Sequence, residues 1–299
     1  MNKMLHKMNR IYEGSVFRPP SEARSLILQA TIGCSHNKCT FCITYKDKEF
    51  RIKSLEEIRR DVETVLPYYK ETKRIFLADG NALIIPTKDL LKILVLLKES
   101  FLKLVRVGIY ACPQDILKKS VSELKELRDS GVGIIYIGLE SGSDPILKKV
   151  RKGVSSKRMI EAGNKVKEAG MILSVIFILG LGGKEHSKEH AIETARVLCR
   201  MDPDYIGALT LMAVKDTAIY NEVKTGKLEL LEPKEILEEL HILIENLNLS
   251  KCIFRVNHAS NYLPVGGTLP EDKQEMLDKI NRILQRNDVI FKPEWLRAL

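Results

Sequence analysis

The chain has 299 residues, with 48 Lys and Arg against 39 Asp and Glu, a formal net charge of +9. Its 44% hydrophobic and 29% charged content is an ordinary globular balance, which excludes a disordered chain, a collagen-like fibre and a coiled coil. Six cysteines are too few for a disulfide scaffold, and the basic excess reads first as solubility spread over helix faces.

Residues 1–10 are basic and polar with no apolar run, so no signal peptide is visible in them. From residue 25 onward, short apolar runs alternate with amphipathic segments. The runs are residues 25–31, 74–78, 104–110, 134–139, 172–179 and 205–211. They lack clean polar alternation, as strands of a parallel sheet buried on both faces do. Between them, Ser54-Leu55-Glu56-Glu57 opens a helix with a capping box, and helices are predicted over 87–100, 120–129, 155–169 and 187–201. Stop signals follow at Ser130-Gly131, Ala169-Gly170 and Asp202-Pro203.

Six strand–helix units imply right-handed crossovers and a parallel sheet, with the ligand site at the C-terminal strand ends. After about Gly226 the pattern changes to a helix over 233–247, a strand over 252–256 and a helix over 270–286. The polar, glycine-rich segment 258–267 lies between the last two. The expected organisation is an N-terminal extension over 1–20, a six-unit core over 21–226 and a cap over 227–299. The most apolar stretch, residues 171–183, is interrupted by Ser174 and is shorter than the about 20 residues a membrane span needs. The expected location is cytoplasmic, without a membrane partner. Thiols stay reduced there, so a cysteine cluster points to metal or catalysis.

Such a cluster exists. Cys34, Cys39 and Cys42 fall in one short loop after the first strand. Three thiolates on one loop can hold three corners of a cubane iron–sulfur cluster. With no fourth protein ligand nearby, one iron is left open for a substrate or cofactor. Zinc is the competing reading, with His36 as fourth ligand, but His36 lies inside the loop, whereas structural zinc usually takes two separated pairs.

The segment Gly33-Cys34-Ser35-His36-Asn37-Lys38-Cys39-Thr40-Phe41-Cys42 resembles the cluster loop of the radical S-adenosylmethionine (SAM) superfamily. The family's usual gaps are three then two residues; here they are four then two. Phe41, just before the last cysteine, matches the family's aromatic residue beside the adenine. Asp79-Gly80-Asn81 resembles the glycine-containing turn whose backbone holds the methionine amino group. Glu140, in Gly138-Leu139-Glu140-Ser141-Gly142, stands where the family places a polar ligand of the ribose or the amino acid part. Ile176-Phe177-Ile178-Leu179-Gly180-Leu181-Gly182-Gly183 resembles the apolar strand and glycine turn beside the adenine, which makes Gly180, Gly182 and Ser174 candidate contacts.

The resemblance covers residues 25–213 and is closest in style to the branch with Elp3-like, coproporphyrinogen-dehydrogenase-like and methylthiotransferase-like proteins. It implies an α/β fold, a partial (β/α)6 TIM-like barrel of parallel strands with a short α-rich C-terminal extension. It also implies one [4Fe–4S] cluster on Cys34, Cys39 and Cys42, with SAM on the open iron. Reductive cleavage of SAM would give a 5′-deoxyadenosyl radical that abstracts hydrogen from a substrate. The implied partners are a reductant such as flavodoxin or ferredoxin and a small organic substrate. A haem- or cluster-binding chaperone without radical turnover, and a tRNA-modifying enzyme with a nucleic-acid partner, remain as alternatives. No RNA-binding motif supports the last.

Plainer readings accompany these residues. Gly80, Gly142, Gly180 and Gly182 also suit strand-exit turns. Glu140 also suits an ion pair with a neighbouring Lys or Arg. Cys112, Cys199 and Cys252 read as small buried apolar residues. His186-Ser187-Lys188-Glu189-His190 matches the H-x-x-E-H peptidase pattern, but both histidines are expected at an exposed helix start. Gly180-Leu181-Gly182-Gly183 is not the dinucleotide fingerprint. His258, Asn261 and Tyr262 read as turn chemistry or as substrate contacts.

Overall fold

In the computed structural model, the described residues are 11–286 and 288–298; the expectation for residues 1–10 lies outside them. The chain divides into two compact units. The first comprises Met1–Asn37, Thr44–Ile137 and Lys165–Ile172; the second comprises Lys38–Ile43, Gly138–Asn164 and Leu173–Leu299.

In the first unit, β1 (Leu26–Gln29), β4 (Arg74–Ala78), β5 (Arg106–Ala111) and β6 (Val132–Glu140) lie side by side in that order, all parallel. Residues 25–31 do not form a single strand. Ala30 donates to Ala78 O and accepts from Lys53 N, so the chain changes partners there. Beyond it, β2 (Thr31–Ile32) pairs antiparallel with β3 (Arg51–Ile52) in a separate two-stranded sheet.

Helix α1 (Leu55–Tyr69) begins at the expected capping box: Glu57 N donates to Ser54 Oγ at 3.2 Å, and Ser54 N donates to Glu57 Oε2 at 2.7 Å. Such a cap stabilises by about 1 kcal/mol. Helix α2 (Thr87–Ser100) packs on α1 and buries Leu90, Ile93, Leu94 and Leu97 at helical spacing. A short α3 (Pro113–Lys118), absent from the sequence reading, precedes α4 (Val121–Asp129). Its signals are Pro113 in the first turn and Asp115 behind it. Phe76, Tyr110 and Tyr136 meet edge to face in this unit, with centroids 4.8–6.0 Å apart.

In the second unit, β7 (Ile172–Leu179), β8 (Tyr205–Thr210) and β9 (Cys252–Val256) run parallel, and β10 (Val265–Leu269) returns antiparallel to β9. After β6 come α5 (Asp144–Lys149) and α6 (Ser156–Glu168). After β7 comes α7 (Gly183–Met201), which starts four residues before the expected Ser187 because Gly182 is its N-cap. After β8 comes α8 (Ala218–Lys224).

The C-terminal part contributes α9 (Pro233–Asn246), packed against α7, then β9, β10 and α10 (Lys273–Leu284). Strand β10 falls in the segment read as polar and glycine-rich. Its inward residues Val265 and Leu269 flank Gly266 and Gly267, which hide the two-residue period. The α/β class, with parallel strands in strand–helix order, agrees with the expected partial barrel. No helix among the described residues is long and apolar enough to cross a membrane.

Candidate functional site

The loops after β1, β4 and β5 meet in the first unit. Gly80 N donates to Gly33 O at 3.1 Å, just before Cys34. A Cβ on Gly80 would lie 2.9 Å from Cys34 Cβ and 2.6 Å from Tyr45 Cε2, so only glycine lets the turn come this close. Asn81 is fully buried. Its Nδ2 donates to Ser35 Oγ at 2.7 Å and to Asp115 Oδ2 at 2.6 Å, and its Oδ1 accepts from Cys112 N at 2.9 Å. It therefore ties the cysteine loop to the start of α3.

Asp79 is also fully buried. Its Oδ2 accepts from Lys48 Nζ (2.9 Å), Gly33 N (3.0 Å) and Gln29 Nε2 (3.0 Å), while Oδ1 is buried without a partner. Burial pushes the Asp79 carboxyl up, and the Lys48 and Gly33 contacts pull against it. Lys48 also donates to Ser15 O. The side chains of Asp79 and Asn81 thus hold the turn and the cysteine loop together.

The remaining cysteines belong to the second unit. Between them, Thr40 N donates to Val150 O at 3.1 Å and Thr40 O accepts from Ile219 N at 3.1 Å. Phe41 packs on an apolar cluster that includes Ile146, Val150, Ile178, Leu181 and Ile219. The segment is therefore pinned between the end of α5 and the start of α8, with its aromatic residue against those flanking Gly180. Cys34, Cys39 and Cys42 are each partly exposed. Among the described residues, no three His, Cys, Asp or Glu side chains gather around a single ion, so Cys34, Cys39, Cys42 and His36 do not form a one-ion tetrad.

Glu140, at the end of β6, has φ +64° and accepts from Lys152 Nζ at 2.8 Å. Ser174 is buried on β7, in register with Tyr205. Gly180 has φ +78°, and its N donates to Glu239 Oε1 at 2.7 Å.

His190 is not at an exposed helix start; it is fully buried. One ring nitrogen lies 2.9 Å from Ile178 O and the other 2.8 Å from Ser141 Oγ. The reason is that α7 begins earlier than expected, which places His190 in its second turn, on the face toward β7. His186 stays partly exposed, so the two histidines do not form a metal pair. Asn261 and Tyr262 serve turn chemistry. Asn261 bonds Thr210 and Ala208 of β8, and Tyr262 stacks under Arg297 at 4.1 Å. Cys252 is buried as expected, whereas Cys112 and Cys199, read as buried, are partly exposed, and Cys199 accepts from Asn248 N.

A family model for the radical SAM superfamily matches residues 28–198, more than half of the chain. The chain belongs to the radical SAM superfamily. The superfamily's cofactors are a [4Fe–4S] cluster and SAM. The chain is 26% identical over 228 residues to 4′-phospho-dehydrooxetanocin synthase of Priestia megaterium, covering 68% of this chain and 31% of that protein. It is 25% identical over 179 residues to the haem chaperone HemW of Bacillus subtilis, covering 58% and 45%. It therefore spans less than half the length of these curated relatives. Its fold is similar to that of coproporphyrinogen III oxidase (HemN) from Escherichia coli, a radical SAM enzyme, with a TM-score of 0.56, 16% identity, and 82% and 55% of the two chains covered.

The residues present fit the superfamily's cofactors. A cubane takes one thiolate per iron, and three partly exposed cysteines, none of them in a disulfide, are the donor type it needs. The buried, unpartnered Asp79 Oδ1 lies in the turn that the resemblance assigns to an amino group. The sequence reading missed Lys48, Asp115 and Glu239, which hold these radical SAM loops. Glu239 had a legible signal: a lone carboxylate on the apolar stripe of α9, between Ile236 and Leu243.

Proposed function

We propose that the chain is a radical SAM enzyme whose Cys34, Cys39 and Cys42 hold a [4Fe–4S] cluster and whose substrate is a small organic molecule. What carries this reading is the partly exposed three-cysteine loop, held by Gly33 and Asn81 contacts at one end and by Thr40 and Phe41 at the other. Cluster and SAM, when bound, supply one-electron cleavage of the sulfonium and a hydrogen-abstracting carbon radical.

The chain's own residues bind and orient. The backbone of Asp79-Gly80-Asn81 receives the amino group of SAM, with Asp79 Oδ1 as a further acceptor. Phe41, Gly180 and Gly182 border the adenine; Glu140 and Ser174 accept the ribose or the amino acid part. Lys152, paired with Glu140 at 2.8 Å, fixes the position of that carboxylate. In this division of labour, residues 21–226 carry the cofactor chemistry and 227–299 shape the substrate side. A reductant such as flavodoxin or ferredoxin delivers the electron. The relatives named above carry different activities at similar identity, so neither selects the substrate.

The test is anaerobic. The chain is reconstituted with iron and sulfide, given dithionite and SAM, and 5′-deoxyadenosine is quantified by mass spectrometry. Formation by the parent and not by the Cys34→Ala/Cys39→Ala/Cys42→Ala variant is the expected result. A parent that takes up no cluster overturns the reading.

A further inference from the structure

The loop joining β9 and β10 leaves the C-terminal end of β9, which runs parallel to β8. It therefore lies at the sheet edge where parallel α/β folds bind ligands. The last residue of β8 touches this loop, since Thr210 N donates to Ser260 Oγ at 3.1 Å, and the helix that follows β8 touches the cysteine segment, since Ile219 N donates to Thr40 O. The loop is firmly built. Asn261 bridges Thr210 and Ala208, and the buried Arg297 donates to Ser260 O at 2.6 Å and to Leu211 O at 2.8 Å.

The side chain this scaffold orients, without using it as a clamp, is His258. Ser260 N donates to His258 Nδ1 at 3.2 Å. A backbone N–H can only donate, so Nδ1 carries no proton. Ser260 Oγ, already accepting from Thr210 N, directs its own hydrogen to the same nitrogen at 2.9 Å. The ring's single proton therefore sits on Nε2. A partly exposed, neutral imidazole thus offers one N–H donor at this edge. Protonating it would set an Nδ1–H against the Ser260 N–H, and burial and Lys292 also keep its pKa below the usual value. Lys292 Nζ donates to Ala259 O at 3.0 Å, beside the ring, with two ammonium hydrogens left over. Glu294, the carboxylate on the same C-terminal segment, is already paired with Arg297 and Tyr262.

We propose that His258 and Lys292 form a substrate-binding corner for an anionic oxygen, a carboxylate or phosphate, with His258 Nε2–H and the Lys292 ammonium as donors. This rests on the reading of the sheet edge as an active site, and it adds the chemical class of the substrate.

The test is calorimetric titration of the cluster-loaded full chain with inorganic phosphate and, separately, acetate, against chloride at equal ionic strength. One saturable site for either anion is expected, weakened about tenfold or more in His258→Ala and in Lys292→Gln, the loss of one charge-assisted hydrogen bond. Lys292→Gln should keep the parent's melting temperature, whereas His258→Ala also removes the acceptor of the Ser260 donors, so its binding is read at a temperature where the variant is folded. Phosphate alone would mark a phosphorylated substrate, acetate alone a carboxylate. Equal affinity in parent and His258→Ala, or a response matched by chloride, overturns the proposal. So does nitrogen NMR of the parent placing the ring proton on Nδ1, a measurement that needs no variant. The 5′-deoxyadenosine assay on the same parent sample tests the enzyme reading separately, since anion binding needs no SAM cleavage.

Discussion

The exit of β4 is held by charge. Asp79 and Lys48 pair inside the first unit, with side-chain exposures of 0% and 4%. The exit of β7 is held by a wider network without a Lys or Arg. Ser141, His190 and Thr194 link the loop after β6, the end of β7 and α7, and the Glu239 carboxylate spreads over Gly180 N and Ser187 Oγ, with His190 Nε2 3.7 Å away. A buried charge depends on its one counter-charge, whereas a hydroxyl–imidazole network shares each loss among several bonds. The two exits should therefore fail differently.

The largest effect is expected at the charged exit. Lys48→Met strands the Asp79 carboxylate and should cost about 3–5 kcal/mol in denaturant unfolding. Adding Asp79→Leu should recover most of that, because an apolar pair of similar size removes the stranded charge. A single variant as stable as the parent would break the contrast. Next is Gly142→Ala, whose Cβ would sit 2.1 Å from Glu193 O of α7. The clash is with backbone, so a loss of about 3 kcal/mol is expected, read as a lowered unfolding midpoint.

At the exit of β7, His190→Leu removes the partner of Ile178 O and of Ser141 Oγ and should cost about 2 kcal/mol. A loss as large as that of Lys48→Met would show that the two exits do not differ in kind.

The smallest effect concerns His258. Its pKa lies below 6.5 in the folded chain because of burial and Lys292. The unfolded chain then binds more protons in that range, so stability rises with pH, is fully present above 6.5 and is lost as pH falls below it. His258→Asn should flatten this slope when unfolding free energy is measured across mildly acid to neutral pH.

Much of the fold was legible because its strands are short, apolar and regularly separated. Residues 74–78, 172–179 and 252–256 were read with their observed bounds, and so was the helix over 87–100. The misses have local causes. Ala30 divides one apolar run between two partner strands. Gly266 and Gly267 mask the alternation of β10. Pro113 and Asp115 opened a helix too short to register as a period. At the candidate site, the cysteine spacing stood out in the sequence because three cysteines fall within nine residues, and the strand-exit turns because Gly33, Gly80, Gly142 and Gly180 closely follow apolar runs. What Lys48, Asp115, Glu239 and Ser260 hold did not, since each bonds residues far from it in the chain.

The sequence by itself determined the parallel α/β class and the three-cysteine loop, because these follow from local spacing and from hydrophobic period, and its motifs carried the resemblance to the superfamily. Only the tertiary structure decided that Asp79 and Asn81 turn inward, that His190 is core, and that His258 keeps its proton on Nε2. Those depend on which donors face each side chain once distant segments pack, and a backbone N–H such as that of Ser260 settles a tautomer only by where the fold puts it.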